Sequence, residues 1–392
     1  MQTVLLYEKD SFTREFQACV LACRATESGY EVMLDQTGFF PEGGGQTADT
    51  GVFFVNDAMG ETKEVQVLDV QEMEGEIWHK TDAPLPEGSK VAGKLHWKER
   101  FSKMQHHSGE HIVSGLVHRH FGYHNVGFHL GSHVVTLDFD GVLTREQLRQ
   151  IEWEANEAVA ADVPILVTYP TREELAELPY RSKKEIQGQV RIVEIPGYDV
   201  CACCAPHLRT TGQIGMIKLV NMESFRGGVR VYMLCGFAAL ADYNAKEDSV
   251  RGISQLLSAR EDLVVQAVER LKQENYQLKG AKMALELSVL EYKVREIAPG
   301  TEQVVLIEEG LSGNQPRELV NQLLARQVGI ACVFAGDDDQ GYRYVLGSRT
   351  QDVRPVAKQI NEALSGRGGG KPEMVQGSVS SSRKQILEFY QK

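Results

Sequence analysis

The segment Arg100-Phe-Ser-Lys-Met-Gln-His-His-Ser-Gly-Glu-His111 decides how the rest of the chain is read. From Trp97 to about His120 the positions Phe101, Met104, His107, His111, Ile112, Gly115 and Leu116 fall on one broad face of a helix, and Gly122 is placed to stop it. His107 and His111 are four residues apart, so a helix puts both imidazoles on one face a turn apart, where they can share a cation. Nine of the eleven histidines lie between residues 96 and 133. A second segment, Cys203-Cys-Ala-Pro-His207, adds a thiol and an imidazole. Pro206 disfavours helical geometry at Ala205, so this pair belongs on a turn. His107, His111, Cys203 and His207 together make a nitrogen-and-sulfur set suited to Zn(II), one ion per chain. Cys201 and Cys204 compete with Cys203 for the thiolate position; otherwise they are small buried residues.

Outward from this segment, the first ninety residues read as short strands at Glu31–Asp35, Gly51–Val55 and Val65–Val70, with Val91–Leu95 leading out. They predict a β-barrel domain over 1–92. Beyond the histidine helix, strands are expected at His133–Phe139, Pro164–Tyr169, Gln189–Ile195, Ile214–Val220 and Val229–Leu234. A helix from Thr144, whose hydroxyl can cap it, runs to Ala161. These define an α/β domain with an antiparallel sheet over 93–240. Between Asp242 and Ile297 there is no proline, and Val250, Leu257, Val264, Leu271, Leu278, Leu285 and Tyr292 recur every seven residues. That is a long helical segment over 241–298, a packing seam rather than a strong independent coiled coil, because its companion positions include Arg260 and Glu274. Strands at Val304–Ile307, Ile330–Phe334 and Tyr342–Leu346 with helices at Pro316–Val328 and Val353–Leu364 make a small α/β domain over 299–392, closed by a glycine loop at 365–372. The fold class is α+β.

Composition bounds the function. The 392 residues are 42% hydrophobic and 24% charged, which excludes disordered and fibrous classes. No apolar run approaches a membrane span, and Met1–Asp10 lacks a signal peptide's basic start, so a cytoplasmic protein without a membrane partner is expected. Seven cysteines in a long chain read as thiols or metal ligands rather than a disulfide framework. The net charge of -12 argues against non-specific nucleic-acid coating. Residues 341–392 nevertheless carry nine basic and four acidic side chains, a local excess that fits one RNA or phosphate contact.

The motifs Arg100-x-x-x-Met-Gln-x-His107-x-x-x-His111 and Cys203-x-x-x-His207, preceded by Thr37-Gly-Phe-Phe-Pro-Glu-Gly-Gly-Gly-Gln46-x-x-Asp49-x-Gly51, resemble the editing domain of alanyl-tRNA synthetase and the free-standing alanyl-tRNA editing proteins called AlaX. The closing Gly366-x-Gly-Gly-Gly370-Lys-Pro with Gly377 is similar to the glycine motif of the DHHA1-type domain in the long AlaX form. The likeness spans nearly the whole chain, with no aminoacylation core before it, and implies an editing factor acting in trans. One departure stands out: the family's usual Cys-x-Gly-Thr-His is here Cys203-Cys-Ala-Pro-His207, which keeps both ligands but loses the threonine hydroxyl and the glycine.

What the resemblance implies is a zinc-site hydrolase that deacylates tRNA(Ala) mischarged with serine or glycine. A pocket sized for alanine cannot reject glycine by more than a methyl's worth of binding, and serine differs by one hydroxyl, so a second site must correct both. Thr37 or Gln46 is expected to read the serine hydroxyl, with Gly127–His133 as a further pocket wall, and Glu110 is the carboxylate beside the ligands. Gly43–Gly45 permit positive φ and close backbone approach, as a plain hairpin turn also would. Gly368–Lys371 offer amides and an ammonium to a phosphate. A homodimer through the helical or C-terminal domain is a further expectation. Two rival readings stand. His107-Ser-Gly-Glu110-His111 also spells the H-x-x-E-H pattern of inverted zincin metallopeptidases, in which Glu110 would be the general base rather than a solvated helix residue. The other rival is a non-catalytic tRNA-binding module with a structural zinc.

Overall fold

In a computed structural model, which describes residues 3–56, 60–131, 134–182, 188–311 and 313–391, the N-terminal strands close into a six-stranded barrel. The strands are β1 (Glu15–Thr26), β2 (Gly29–Leu34), β3 (Gly51–Asn56), β4 (Thr62–Met73), β5 (Glu76–Thr81) and β6 (Lys90–Leu95), in the order β1-β2-β5-β4-β3-β6. Alternation explains the closure: Phe53 and Val55 of β3, Val65 and Val67 of β4, and Val32 and Leu34 of β2 all point into one apolar core. Strands β1 and β5 were not legible in the sequence. The interior of β1 is partly built from Ala18 and the half-buried Cys23, and β5 holds a buried His79, so neither shows a clean run of branched apolar residues.

The connection from β2 to β3 is pinned by a buried ion pair. Asp49 Oδ2 accepts from the Phe40 amide at 2.7 Å and from Arg100, whose guanidinium also donates to the carbonyls of Gly38 at 2.7 Å and Ser11 at 3.1 Å. At the tip, Gly43 and Gln46 exchange two backbone hydrogen bonds of 3.0 Å around Gly44 (φ 61°) and Gly45 (φ 84°). Both central residues therefore occupy the left-handed region that a tight hairpin turn demands. Gly45 is also needed for close approach, because a Cβ there would lie 2.5 Å from the Phe128 carbonyl oxygen.

Helix α1 (Trp97–Phe121) is polar in composition yet buried without interruption from Met104 to Val117. It is enclosed because two of its small residues admit neighbours: a Cβ on Gly109 would sit 2.6 Å from Cys235 Sγ, and one on Gly115 would sit 2.2 Å from the Tyr198 carbonyl oxygen. Two sheets surround it. One holds β7 (Asn125–Leu130), β8 (Val135–Phe139), β12 (Ile217–Phe225) and β13 (Gly228–Cys235) in the order β12-β13-β8-β7. The other holds β9 (Leu166–Thr168), β10 (Ile192–Ile195) and β11 (Asp199–Ala202). Helix α2 (Arg145–Ala160) is capped at Thr144, which with Gln147 forms a reciprocal capping box. Ile214, expected in a strand, ends a 3-10 turn instead, and residues 132–133 of the expected pocket wall lie outside the described residues.

The chain divides into two compact units, residues 1–252 and 253–392. Helix α3 (Gly236–Leu257) and helix α4 (Val264–Glu296) are separated by a break at which Ser258 takes φ 49°, so the seven-residue repeat runs over two helices. Leu278, Leu285 and Tyr292 of α4 remain 69%, 67% and 66% exposed, so the stripe is not a filled seam within this chain. The C-terminal sheet contains β14 (Gln303–Glu308), β15 (Ile330–Asp337), β16 (Gly341–Gly347), β17 (Gly366–Lys371) and β18 (Met374–Val379) in the order β14-β15-β16-β18-β17. Helices α5 (Gln315–Ala325), α6 (Arg354–Ala363) and α7 (Arg383–Tyr390) complete this region. The expected glycine loop is therefore an edge strand. Gly368 faces Gly377 across the β17/β18 pair, and a Cβ on Gly377 would lie 2.6 Å from the Tyr344 ring, so the ring takes the space that side chains would fill. No helix among the described residues is long and apolar enough to cross a membrane.

Candidate metal centre

Helix α1 and the turn after β11 bring four donors to one point. One ligand atom from each of His107, His111, Cys203 and His207 lies within 4.8 Å of the other three. Cys203 Sγ stands 3.4 Å from His107 Nε2 and 3.4 Å from His207 Nε2. Ligands about 2.3 Å (sulfur) and 2.0 to 2.1 Å (nitrogen) from a tetrahedral ion would be separated by about 3.5 Å, so the donor set fits zinc in both chemistry and spacing. The helical spacing sets the first pair, with ring centroids of His107 and His111 5.6 Å apart, and the turn around Pro206 delivers His207 to within 4.9 Å and 4.7 Å of them.

Each histidine has its other ring nitrogen held. His107 Nδ1 donates to Gln46 Oε1 at 2.9 Å, His111 Nδ1 donates to Asp199 Oδ2 at 2.9 Å, and His207 Nδ1 faces Ser108 Oγ at 3.1 Å. The partners fix ring orientation and leave the Nε2 atoms for an ion, as metal-binding histidines require. Asp199 is itself gripped by Arg181, whose Nε and Nη2 donate at 2.7 and 2.8 Å. Neither Asp199 nor Arg181 nor Ser108 was singled out by sequence reasoning. Ser108 is adjacent to a ligand and Asp199 is four residues before Cys203, but position alone gives no donor direction.

The surroundings of Cys203 and His207 match donor roles, whereas His111 holds a proton that an incoming ion must displace. Burial pushes the Cys203 thiol up, but His107 and His207 outweigh it and hold the thiol well below its ordinary range. Burial lowers His207 to about 3, keeping its imidazole neutral. Burial also pulls His111 down, yet the hydrogen bonds to Asp199 and Cys203 prevail and raise it well above the usual histidine value. Of the sequence-level rivals of Cys203, Cys201 is buried as expected but Cys204 is exposed; partial loss of water around each sulfur pushes both thiols up to about 11. Neither belongs to the four-residue group.

The other expected site residues separate. Gln46 is fully buried; its side-chain oxygen holds His107, while Nε2 is a buried donor with no hydrogen-bond partner among the described residues. Glu110 is 2% exposed rather than solvated. Its Oε1 accepts from Ser114 Oγ at 2.7 Å and Asn125 Nδ2 at 2.6 Å, and its Oε2 lies 3.9 Å from His111 Nε2. Thr37 is directed into the barrel, where its hydroxyl pairs with His79 Nε2 at 2.8 Å and accepts from the Phe39 amide at 3.1 Å.

The chain that sets a barrel with a glycine turn against a histidine helix and a Cys-x-x-x-His turn is similar in sequence to aminoacyl-tRNA synthetase families. Family models agree: residues 7–99 match the class II (A) tRNA synthetases, residues 190–232 the second additional domain of threonyl and alanyl tRNA synthetases, and residues 300–392 the DHHA1 domain. The chain is a homologue of the alanyl-tRNA editing protein AlaX-L of Pyrococcus horikoshii, 25% identical over 98% of this chain and 96% of that protein. It is also 32% identical to the alanine–tRNA ligase of Pyrococcus abyssi and 30% identical to that of Methanococcus maripaludis, each over 99% of this chain. The chain spans 43% of the length of those two ligases.

Proposed function

We propose that this chain is a deacylase that hydrolyses the ester of tRNA(Ala) mischarged with serine, and with glycine, at a zinc-holding centre formed by His107, His111, Cys203 and His207. The observation that carries the reading is the convergence of those four donors on one point, with the unpartnered amide nitrogen of Gln46 borne on the side chain that holds His107. Homology along nearly all of AlaX-L supports action in trans.

An aminoacyl ester is already activated, so its hydrolysis needs positioning, a proton acceptor and a donor for the developing oxyanion. Zinc held by His107, His111, Cys203 and His207 would fix the ligand-bearing segments to one another, and would supply Lewis-acid polarisation where one of the four yields its position to the substrate. In this reading Gln46 Nε2 donates to the substrate, either to the serine hydroxyl or to the ester oxygen. Glu110, fixed by Ser114 and Asn125, is the carboxylate beside the ligands that accepts a proton. Thr37 is the weaker candidate for reading serine, because its hydroxyl is already shared between His79 and the Phe39 amide.

Contact with tRNA is assigned to a cavity of about 390 Å³ lined by Arg354, Lys358, Asn361 and the β17 glycines. Arg354, paired with Asp352, and Lys358, 3.9 Å from the Glu362 that also lines the cavity, would turn from those carboxylates to a phosphate. The exposed Leu271, Leu278, Leu285 and Tyr292 support a homodimer through α4, which light scattering tests.

Deacylation of Ser-, Gly- and Ala-tRNA(Ala) by the wild type and by His111→Ala tests the function. Serine and glycine release by the wild type alone is expected; cleavage of a casein panel with intact mischarged tRNA would favour the peptidase reading that Glu110 permits. Wild-type tRNA binding with no turnover of any ester would leave only the binding module, in which four protein ligands close the zinc site.

A further inference from the structure

Asp199 and Arg181 lie outside the four donors and contribute nothing to the proposed reaction, yet Asp199 is buried and Arg181 is half-buried against it. Asp199 is 6% exposed, and its carboxylate makes three charge-assisted contacts: Oδ1 with Arg181 Nε at 2.7 Å, and Oδ2 with Arg181 Nη2 at 2.8 Å and with His111 Nδ1 at 2.9 Å. A carboxylate gripped on both oxygens by a guanidinium is fixed in plane and position. The backbone enforces the same arrangement. Gly115, one turn beyond His111 on α1, lets the 198–199 backbone approach so closely that a Cβ at 115 would lie 3.0 Å from the Asp199 Cβ. Arg181 in turn is tied to the neighbouring strand, its amide donating to the Val200 carbonyl at 2.8 Å and its carbonyl accepting from Ala202 at 2.9 Å.

We infer that Asp199, held by Arg181, is a positioning residue that fixes the His111 ring in the tautomer and orientation presenting Nε2 to the ion, and so sets the affinity of the centre. His111, Asp199 and Cys201 also form a cluster within 4.8 Å that has the residue types of a second cation site. Geometry argues against that use. The lone pairs a cation would need on Asp199 are directed at Arg181 and His111, and a guanidinium in bidentate contact repels a second positive charge. The cluster is the outer support of one centre.

A cavity of about 460 Å³ on this side of α1 is lined by Asp199, Arg181, Arg119, His118 and Tyr180. It gives small solutes access to the Asp199 position, which makes the role testable by chemical rescue.

The inference rests on the four-donor reading, and the experiment separates the two. Full-length wild type, Asp199→Asn, Asp199→Ala and Arg181→Met are loaded with Co(II) and Zn(II), and affinity is measured by chelator competition. The Co(II) spectrum reports ligand geometry, and circular dichroism reports folding. The wild type is expected to bind one ion per chain. Asp199→Asn and Asp199→Ala should bind tenfold to hundredfold more weakly with an altered Co(II) spectrum, Arg181→Met less weakly affected, and formate should restore affinity to Asp199→Ala but not alter the wild type. Wild-type affinity and spectrum in a folded Asp199→Asn would overturn the inference while leaving the centre intact. Two ions per wild-type chain, or loss of affinity only in proportion to unfolding, would also overturn it. Failure of the wild type to bind either metal overturns both readings.

Discussion

His107 Nδ1 donates to Gln46 Oε1 at 2.9 Å across 61 residues of sequence, so the barrel's glycine turn reaches into the helix that carries two of the four donors. One amide group thereby has two ends: its oxygen orients His107, and its nitrogen is buried without a hydrogen-bond partner among the described residues. Replacing Gln46 with alanine removes both. Gln46→Ala is expected to bind zinc about tenfold more weakly. With zinc restored to saturation, kcat/KM for Ser-tRNA(Ala) should remain at least tenfold down, because the donor is still missing. Full recovery at saturating zinc would confine Gln46 to holding His107.

The thiol assignment divides three neighbouring cysteines. Cys203→Ala should lose the ion, while Cys204→Ala and Cys201→Ala should each retain about one zinc per chain by elemental analysis. Chelation should abolish deacylation and lower the melting temperature together, since an ion that binds only the folded chain stabilises it in proportion to its occupancy. Zinc retained by Cys203→Ala and lost by Cys204→Ala would transfer the ligand role.

His79 sits fully buried in the barrel, with Nδ1 donating to the Val32 carbonyl at 3.0 Å and Nε2 accepting from Thr37 at 2.8 Å. Burial lowers its pKa to about 4, below the 6.5 of the unfolded chain. The unfolded state therefore takes up the proton first, and the stability this group contributes is complete above pH 6.5 and lost as pH falls toward 4. About 3 kcal/mol should disappear over that window. Urea titrations at pH 7 and 4.5 should show a pH-dependent loss that is smaller in His79→Gln; an equal loss in both would assign it elsewhere.

Arg100 and Asp49 form an enclosed ion pair that also anchors the loop backbone at Phe40 and Gly38. Removing one partner strands a charge away from water. Asp49→Ala should cost about 3 to 5 kcal/mol, whereas the double variant Asp49→Ala/Arg100→Met should recover part of that loss. Thermal melting of the wild type, Asp49→Ala, Arg100→Met and the double variant decides it, and a double variant that loses the sum of the two single losses would exclude coupling.

The histidine helix, the Thr144 cap, barrel strands β2, β3, β4 and β6 and the residues that converge around His107 were legible, because helical periodicity, capping chemistry, strand alternation and His/Cys spacing are local properties. What escaped the sequence depends on partners far along the chain. Strand β1 looks indistinct until its Ala and Cys positions meet the barrel core. Gly366–Lys371 has the composition of a loop and becomes a strand only because Tyr344 lies across the Gly368/Gly377 pair. Asp199 looks like one more strand residue until the small Cα of Gly115 draws it to His111. Glu110 reads as a helix surface residue, yet the sheet carrying Asn125 closes over it.

The donors also impose a timetable on synthesis. Cys203 follows His107 by 96 positions, so a growing chain that has completed the barrel and helix α1 holds only two of its four ligands. A nascent polypeptide stopped short of that turn offers zinc an incomplete cage. If these four residues hold an ion, its capture waits for the turn after β11 that carries Cys203 and His207.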